Sequence, residues 1–135
     1  MRRFGTLVAG LDFATARTLF ADGVLAFGTW SELLSGVDEL EARQWRHVWP
    51  TIDGFAFDVE ATRVVGSPDG LQAVAMAPWT STGFGLDGVP FDRPGRATFV
   101  LQRESADDGA DWLAVHSHFS LARDVPQRSH GRPSA

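Results

Sequence analysis

The chain has 135 residues, of which 44% are hydrophobic and 21% charged, and these values are typical of one globular domain. Its net charge of −5 is unfavourable for nucleic-acid binding, which usually requires a basic surface. No apolar stretch is long enough to cross a membrane, and the one after the first basic residues is broken by glycine and aspartate. We therefore expect a cytoplasmic protein that binds neither nucleic acid nor membranes.

Cysteine, tyrosine and lysine are all absent from the chain. Without cysteine there can be no disulfide, no thiolate nucleophile and no cysteine-based metal site. Without lysine there can be no Schiff base and no phosphate-binding lysine of the nucleotide-loop kind. We expect no cofactor and no metal. The bias towards arginine, alanine, glycine and aspartate is typical of GC-rich bacterial genomes.

The first half of the chain is predicted to be helical with one strand. Apolar residues at helical spacing indicate a short helix over residues 4–11. Asp12 can cap a second helix, which Asp22-Gly23 would end. A strand over 24–30 follows, and then a third helix over 37–50 that Pro50 closes.

The second half is predicted to be a meander of strands, with a turn at Ser67–Gly70 and a loop over 83–95. The predicted strands cover residues 55–65, 71–82, 96–104 and 111–123. Pro78 indicates a bulge or a sheet edge within the second of them. Helices followed by strands imply an α+β fold with the helices on one face of a curved, mostly antiparallel sheet. We expect a single domain over residues 1–123 and a flexible tail over 124–135.

Two segments resemble the SnoaL-like branch of the nuclear transport factor 2-like superfamily. They are "DFATARTLFADGVLAFGT", similar to a helix and the first strand of that group, and "GRATFVLQRESADDGADWLAVHSHFS", similar to its C-terminal hairpin. The end of the second segment also resembles kinase association domains. The resemblance implies a cone-shaped, cystatin-like fold with a pocket between the helices and the concave sheet, and a homodimer formed through the sheets. It implies no single reaction, because the superfamily contains enzymes, small-molecule binders and assembly domains.

Alternation along the last strand assigns its residues to two faces. Ser117 and Phe119 belong to the more apolar face, which we expect to line the pocket. Trp112, His116 and His118 belong to the other, convex face, which we expect to contact the partner subunit. Two histidines at this spacing could instead share a metal ion, but no third ligand is evident nearby in the sequence.

Two residues are candidates for acid–base catalysis. His47, on the third helix, is of the residue type used most often as a general base. Trp45 and Trp49 define the inward face of this helix, however, and His47 lies two residues from each. SnoaL-type cyclases, which are similar in fold, use an acidic residue as base, and Asp58 is an acidic residue on a predicted strand. Its neighbours Phe57 and Val59 occupy the opposite face, so Asp58 is expected to face away from their layer. A surface histidine and a solvated carboxylate are the alternatives. The absence of tyrosine excludes the residue set of ketosteroid isomerases.

Aromatic and polar residues on the strand ends are candidates to bind a ligand. Arg96 could hold a carboxylate with its planar fork, or could be a solvated arginine at the sheet rim. Kinase association domains carry arginine at the positions that resemble Thr98 and Phe119, so this chain lacks that route to an anion. The full set of predicted ligand-binding residues is Trp30, Trp45, Trp79, Phe84, Arg96, Thr98, Ser117 and Phe119.

Three functions are consistent with the sequence. The first is a homodimeric domain that binds a small, mostly apolar molecule in a conical pocket. The second is an acid–base enzyme of isomerase, cyclase or dehydratase type, which requires a titratable side chain in the pocket. The third is a non-catalytic assembly domain, which predicts a filled core and a large apolar sheet face.

Overall fold

The computed structural model describes residues 2–107 and 109–133, and it has helices on the concave side of one strongly curved sheet. Helix α1 covers Arg2–Ala9 and helix α2 covers Phe13–Arg17. Helix α3 begins over Val37–Leu40, widens into a π-helical turn over Glu41–Trp45 and continues over Arg46–Val48, before a 3₁₀ turn over Trp49–Thr51. Its inward face carries apolar residues at helical spacing, and Pro50 prevents its continuation.

Eight strands form a single open, mixed sheet in the described residues. Their bounds are β1 Phe20–Phe27, β2 Leu34–Ser35, β3 Asp53–Phe57, β4 Arg63–Gly66, β5 Gln72–Phe84, β6 Pro90–Asp92, β7 Gly95–Gln102 and β8 Leu113–Leu121. The strand order is β2-β1-β8-β7-β5-β3, and β4 and β6 also pair with β5. Every pairing is antiparallel except that of β1 with β8, which is parallel. The predicted α+β class, with helices on a curved and mostly antiparallel sheet, is confirmed.

The first strand begins earlier than its sequence predicts. Asp12 does cap α2, because its carboxylate accepts the backbone N–H of Thr15 at 3.1 Å, but the helix ends at Arg17. Asp22-Gly23 does not end that helix; it lies inside β1, where the pairing with β8 shifts register between Phe20 and Leu25. A bulge tolerates this turn-forming pair within a strand.

The strand predicted over residues 55–65 is interrupted in the structure, next to Pro78 of the following strand. The strand predicted over residues 55–65 is divided into β3 and β4 by a loop that begins at Asp58. The backbone N–H of Asp58 donates to the carbonyl of Pro78 at 2.9 Å, so the proline nitrogen faces the gap between β3 and β4. A missing N–H is tolerated there because no strand continues the ladder on that side.

A bulge in β8 changes which of its residues face the core. Val100 pairs with His116, whereas Leu101 pairs with Ala114, so Val115 is an extra residue. Ala114 and Ser117 are therefore both buried on the concave side. The predicted alternation is correct from His116 onwards and wrong before it, because a bulge reverses the phase of a strand.

The core is dominated by aromatic rings that meet at Phe4 of α1. The ring of Phe4 lies 5.5–6.2 Å from six other rings, in edge-on and tilted arrangements that aromatic pairs prefer. These six residues are Phe20, Trp45, Trp49, Phe57, Phe99 and Phe119. They come from helix α3, the 3₁₀ turn after it and four strands, so α1 joins the helical layer to the sheet.

The described part of the C-terminal segment, residues 124–133, crosses the end of the sheet beside α3. Ser129 Oγ accepts the N–H of Phe84 at 3.0 Å and donates to the carbonyl of Thr51 at 2.5 Å. Arg132 forms an ion pair with Asp53, and the guanidinium of Arg128 lies 5.4 Å from the ring of Trp30. Residues 134 and 135 of the predicted flexible tail lie outside the described residues. No helix in the described part of the chain is long and apolar enough to span a membrane.

Candidate functional site

A cavity lies beneath α3, between the end of β1 and the concave side of β5 and β8, and it is only partly enclosed. Its free volume is about 30 Å³, enough for one or two water molecules. Its described lining residues are mostly apolar, and seven of them are tryptophan or phenylalanine. These seven are Phe4, Phe27, Trp45, Trp49, Phe55, Trp79 and Phe119.

The cavity contains a buried arginine. Arg93, in the loop between β6 and β7, is 3% exposed. Its guanidinium donates to Thr29 Oγ1 at 3.1 Å and reaches Ser81 Oγ at 3.5 Å, and both partners are neutral hydroxyls. Burial lowers the pKa of Arg93 to about 10. No carboxylate among the described residues forms an ion pair with it, so this site holds an uncompensated positive charge.

Two hydrogen-bond donors at this cavity have no acceptor among the described residues. They are Nε of Arg93 and the indole Nε1 of Trp79, which are buried and without a partner in the described structure. The Trp79 ring lies 5.5 Å from the guanidinium carbon of Arg93. The indole packs against Gly95 of β7, which is possible because this residue has no side chain: a Cβ there would overlap the indole and the carbonyl of Ser120. Unpaired buried donors are costly, so the pair requires an explanation.

A glutamine supports the other side of the cavity. Gln44, in the π-helical turn, is 7% exposed; its amide donates to Thr29 Oγ1 at 3.1 Å and its carbonyl oxygen accepts the N–H of Trp30 at 3.0 Å. Gly28 leaves room for this side chain, since a Cβ there would overlap it. Gln44 and Arg93 therefore both use Thr29 Oγ1 as an acceptor, which fixes the end of β1 relative to α3.

Four of the predicted ligand-binding residues lie at the cavity. They are Trp45, Trp79, Ser117 and Phe119. Ser117 is 2% exposed and faces inward from β8 after the bulge. Periodicity places Trp45, Ser117 and Phe119 on the inward faces of their elements, whereas Trp79 is predicted as an aromatic residue near a strand end.

Two residues predicted for the site stack on each other outside the cavity. The rings of Trp30 and His47 are parallel at a centroid distance of 5.5 Å, and both residues line an open surface depression beside β2. Trp45 and Trp49 stack at 4.7 Å on the inward face of α3, so His47 points away from them. The catalytic position predicted for His47 is therefore not at the cavity.

Asp58 and Phe84 are also outside the cavity. Asp58 is exposed in the loop after β3, where its carboxylate accepts the N–H of Ala61 at 3.2 Å. Phe84 is buried at the end of β5 under the C-terminal segment. No histidine, aspartate or glutamate is among the described residues that line the cavity. Neither predicted catalytic residue thus reaches it.

Arg96 and Thr98 lie on the convex face of the sheet, opposite the cavity. Arg96 is exposed and its Nε donates to Ser120 Oγ at 3.1 Å, while Thr98 pairs with His118. His116 and His118 share this face, as predicted. The Nδ1–H of His116 donates to the carbonyl of Leu25 at 2.8 Å, and Phe27 contacts both imidazole rings.

Trp112 does not share that face. It precedes the bulge in β8 and lies on the concave side, near Phe4 and Phe99, with the guanidinium of Arg103 4.4 Å from its ring. The prediction that groups it with the two histidines on one face fails because the alternation reverses at Val115.

Sequence reasoning misses the two most informative polar residues of the site. Arg93 lies in a loop rich in glycine, proline and aspartate, where no periodicity indicates burial. Gln44 does carry a signal, since it is four residues from both Leu40 and Val48 and so occupies the apolar face of α3. A polar residue on a buried helix face indicates a hydrogen-bonded network or a site.

Solved structures share this fold. A ketosteroid isomerase-like protein from Erwinia carotovora atroseptica aligns with a TM-score of 0.72 at 17% identity, over 91% of this chain and 89% of that one. A nuclear transport factor 2-like protein from Salmonella enterica gives 0.70 at 19%, over 91% and 87%. The association domain of C. elegans CaMKII gives 0.60 at 14%, over 87% of both chains. At these identities the likeness defines a cystatin-like, nuclear transport factor 2-like fold.

The amino-acid sequence assigns the chain to one family among the proteins that share this fold. The SnoaL-like domain family matches residues 1–124, which is nearly the whole described fold. The chain belongs to this family, as the resemblance predicts. No protein of curated function matches the chain.

Proposed function

We propose that this SnoaL-like domain binds a small, mostly apolar molecule in the cavity beneath α3. One observation carries the proposal: aromatic and aliphatic walls surround a few buried polar groups that converge at one place. Ligand sites typically combine apolar walls with a small number of orienting polar groups. Arg93, Trp79 and Ser117 supply these groups here.

The size of the cavity constrains how a ligand can bind. Room for one or two waters is less than a ring-sized molecule needs. A larger ligand must displace wall side chains, so its binding energy is partly spent on rearranging the aromatic core. We therefore expect modest affinity and a measurable change in the environment of Trp45, Trp49 and Trp79.

Binding is tested with small neutral ring compounds such as benzamide and cyclohexanecarboxamide, using tryptophan fluorescence and calorimetry. Ser117→Val replaces an inward hydroxyl with two methyl groups and should weaken binding at least tenfold. Ser120→Val changes the same residue type outside the cavity and should leave binding unchanged. The proposal is wrong if neither these amides nor the corresponding acids bind to the wild-type protein, or if both variants behave alike.

We also propose that the domain is a homodimer through the convex face of its sheet. Two cross-strand rows lie on this face, one containing Leu25, His116, Val100 and Val74 and the other Phe27, His118, Thr98 and Met76. Leu25, Phe27 and Met76 are 38–46% exposed. A contiguous, partly apolar sheet face of this kind is suited to an identical copy related by a two-fold axis.

Light scattering after size-exclusion chromatography tests the dimer. Met76→Glu places a charge in one of these two rows and should halve the measured mass. Val64→Glu places the same charge on β4, where Val64 is already 63% exposed, and should not change it. A monomeric wild-type protein, or dissociation by both variants, contradicts the assignment of this face.

An assembly domain without a ligand is the second candidate, because the cavity is small and the core around it is densely aromatic. It shares the dimer with the first proposal but not the binding. A stable oligomer that binds none of the ring compounds favours the assembly function. Binding that Ser117→Val weakens favours the ligand-binding function.

A further inference from the structure

We infer that the ligand of this cavity is a monocarboxylate with an apolar ring or chain, and that Arg93 and Trp79 bind its carboxylate. This inference rests on the proposed ligand-binding function and names the chemical class of the ligand. It is carried by geometry: one cationic and one neutral donor, both buried and unpaired, belong to residues that line the same cavity.

The charge of Arg93 indicates an anion. Folding removes its guanidinium from water and gives it only hydroxyl partners, Thr29 Oγ1 and Ser81 Oγ. Ser81 Oγ itself donates to the carbonyl of Arg93 at 2.8 Å, so the hydroxyl holds the loop in place and carries no negative charge. Buried charges in proteins are normally paired. Because the described chain offers no acidic partner, the missing partner is external.

The donors indicate a carboxylate in particular. A carboxylate only accepts hydrogen bonds and has two oxygens, which suits two donors that both lack an acceptor. A neutral carbonyl would leave the charge of Arg93 uncompensated, and a cation would be repelled. Phosphate is larger and carries more charge than a single arginine balances. The free volume, about that of one or two waters, suits the planar carboxylate better.

The rest of the ligand must be apolar and uncharged. Beyond Arg93, the described lining contains no ionisable residue that could balance a second charge. The remaining walls present ring faces and aliphatic groups, among them Trp45, Trp49, Phe55 and Phe119. Such walls bind a ring or a short hydrocarbon body through area burial and stacking.

The test compares benzoate with benzamide, and cyclohexanecarboxylate with its amide, at constant ionic strength and neutral pH. Each pair has the same body and differs in the charge of its head group. We expect the wild-type protein to bind each acid at least tenfold more tightly than its amide. Inorganic phosphate serves as the probe for anions in general and should bind more weakly than either acid.

Three variants test which residues cause the preference for the acid over the amide. Arg93→Gln should abolish the difference in affinity between acid and amide. Trp79→Phe keeps an aromatic ring but loses the N–H, and it should reduce this difference several-fold. Arg96→Gln removes an arginine from the opposite face of the sheet and should leave the difference unchanged. Circular dichroism checks that each variant is folded; if Arg93→Gln is not, the wild-type comparison and Trp79→Phe decide.

The possible failures are distinguishable. Equal affinity for acid and amide in the wild-type protein overturns the carboxylate inference while leaving the proposed function intact. A preference for acids that persists in folded Arg93→Gln and in Trp79→Phe overturns the assignment to these residues. Phosphate binding as tightly as benzoate overturns the choice of carboxylate. No binding of any ring compound overturns the inference together with the proposed ligand-binding function.

Discussion

Arg93 is a residue whose position costs stability. Its pKa is lowered to about 10, well below the ordinary value of arginine, because burial disfavours the charged form. A pKa change of one corresponds to about 1.4 kcal/mol, so the free-energy cost of burying the charged guanidinium is on the order of 3 kcal/mol. Such a cost is typical of sites where a ligand completes an arrangement that the protein alone leaves unbalanced.

Arg93→Met should therefore stabilise the ligand-free protein by about 1–3 kcal/mol, since apolar replacement of a buried charge is often stabilising. The measurement is the free energy of unfolding in urea. Arg96→Met, at an exposed position, is the matched control and should have little effect. A loss of stability in Arg93→Met would mean that the bonds to Thr29 and Ser81 outweigh the desolvation of the charge.

The same substitution should change the pH dependence of stability. Between about pH 10 and the higher ordinary pKa of arginine, the unfolded chain keeps a proton on Arg93 that the folded chain has released. The unfolded state then binds more protons, so wild-type stability should rise with pH in this interval relative to Arg93→Met. A constant difference between the two proteins across this range would contradict the lowered pKa.

The absence of a side chain at Gly95 leaves the space that the Trp79 indole occupies. A Cβ at this position would overlap the indole and the backbone of Ser120, and backbone cannot move cheaply. Gly95→Ala should cost about 3 kcal/mol of unfolding free energy through overpacking. Gly66→Ala, where the added Cβ meets nothing within 4 Å, is the control and should change stability by much less.

At the scale of elements, α1 packs into the core through Phe4 and Val8, of which Phe4 has the larger side chain. Phe4 is 6% exposed and contacts rings from both the helical segment and the sheet. Phe4→Ala should cost about 3–5 kcal/mol and reduce the near-ultraviolet circular dichroism of the packed tryptophans. Leu86→Ala, at an 86% exposed position, should affect neither. A small effect of Phe4→Ala would mean that the sheet and α3 form the core without α1.

The elements that sequence predicts well are those with one buried face. Helix α3 and strands β5, β7 and β8 show clear periodicity, and the turn at Ser67–Gly70 has its expected chemistry. Periodicity does not reveal where its own phase changes, so the bulge at Val115 remains hidden, and Pro78 indicates a bulge or a sheet edge without identifying the strand that stops beside it. Both depend on pairing with a neighbouring strand, which a single segment does not specify.

The candidate site is less predictable than the fold for the same reason. Trp45, Ser117 and Phe119 lie in regular elements, and their spacing predicts that they point inward. Arg93 reaches the cavity only because β6 and β7 pair on the same strand, β5, and hold the loop between them against Ser81. Its burial is a property of the assembled sheet.

At the scale of the whole molecule, the C-terminal segment joins α3 to the end of β5. Ser129→Ala removes both hydrogen bonds of its hydroxyl and should cost about 1–2 kcal/mol. Hydrogen exchange at the amide of Phe84 is the direct readout and should become faster. Ser105→Ala, in the exposed loop before β8, is the control. An unchanged exchange rate at Phe84 would show that water replaces the hydroxyl without loss of protection at this amide.

The parallel pairing of β1 with β8 has a consequence for synthesis of the chain. The hydrogen bond between His116 and Leu25 joins residues 91 positions apart. While a ribosome is still translating β5 and β7, β1 has only the two-residue strand β2 as a neighbour, and its other edge is unpaired. Phe20 and Val24 then remain in contact with water, or with a chaperone, until β8 emerges. Folding of this domain therefore finishes late, when its last strand inserts between β1 and β7.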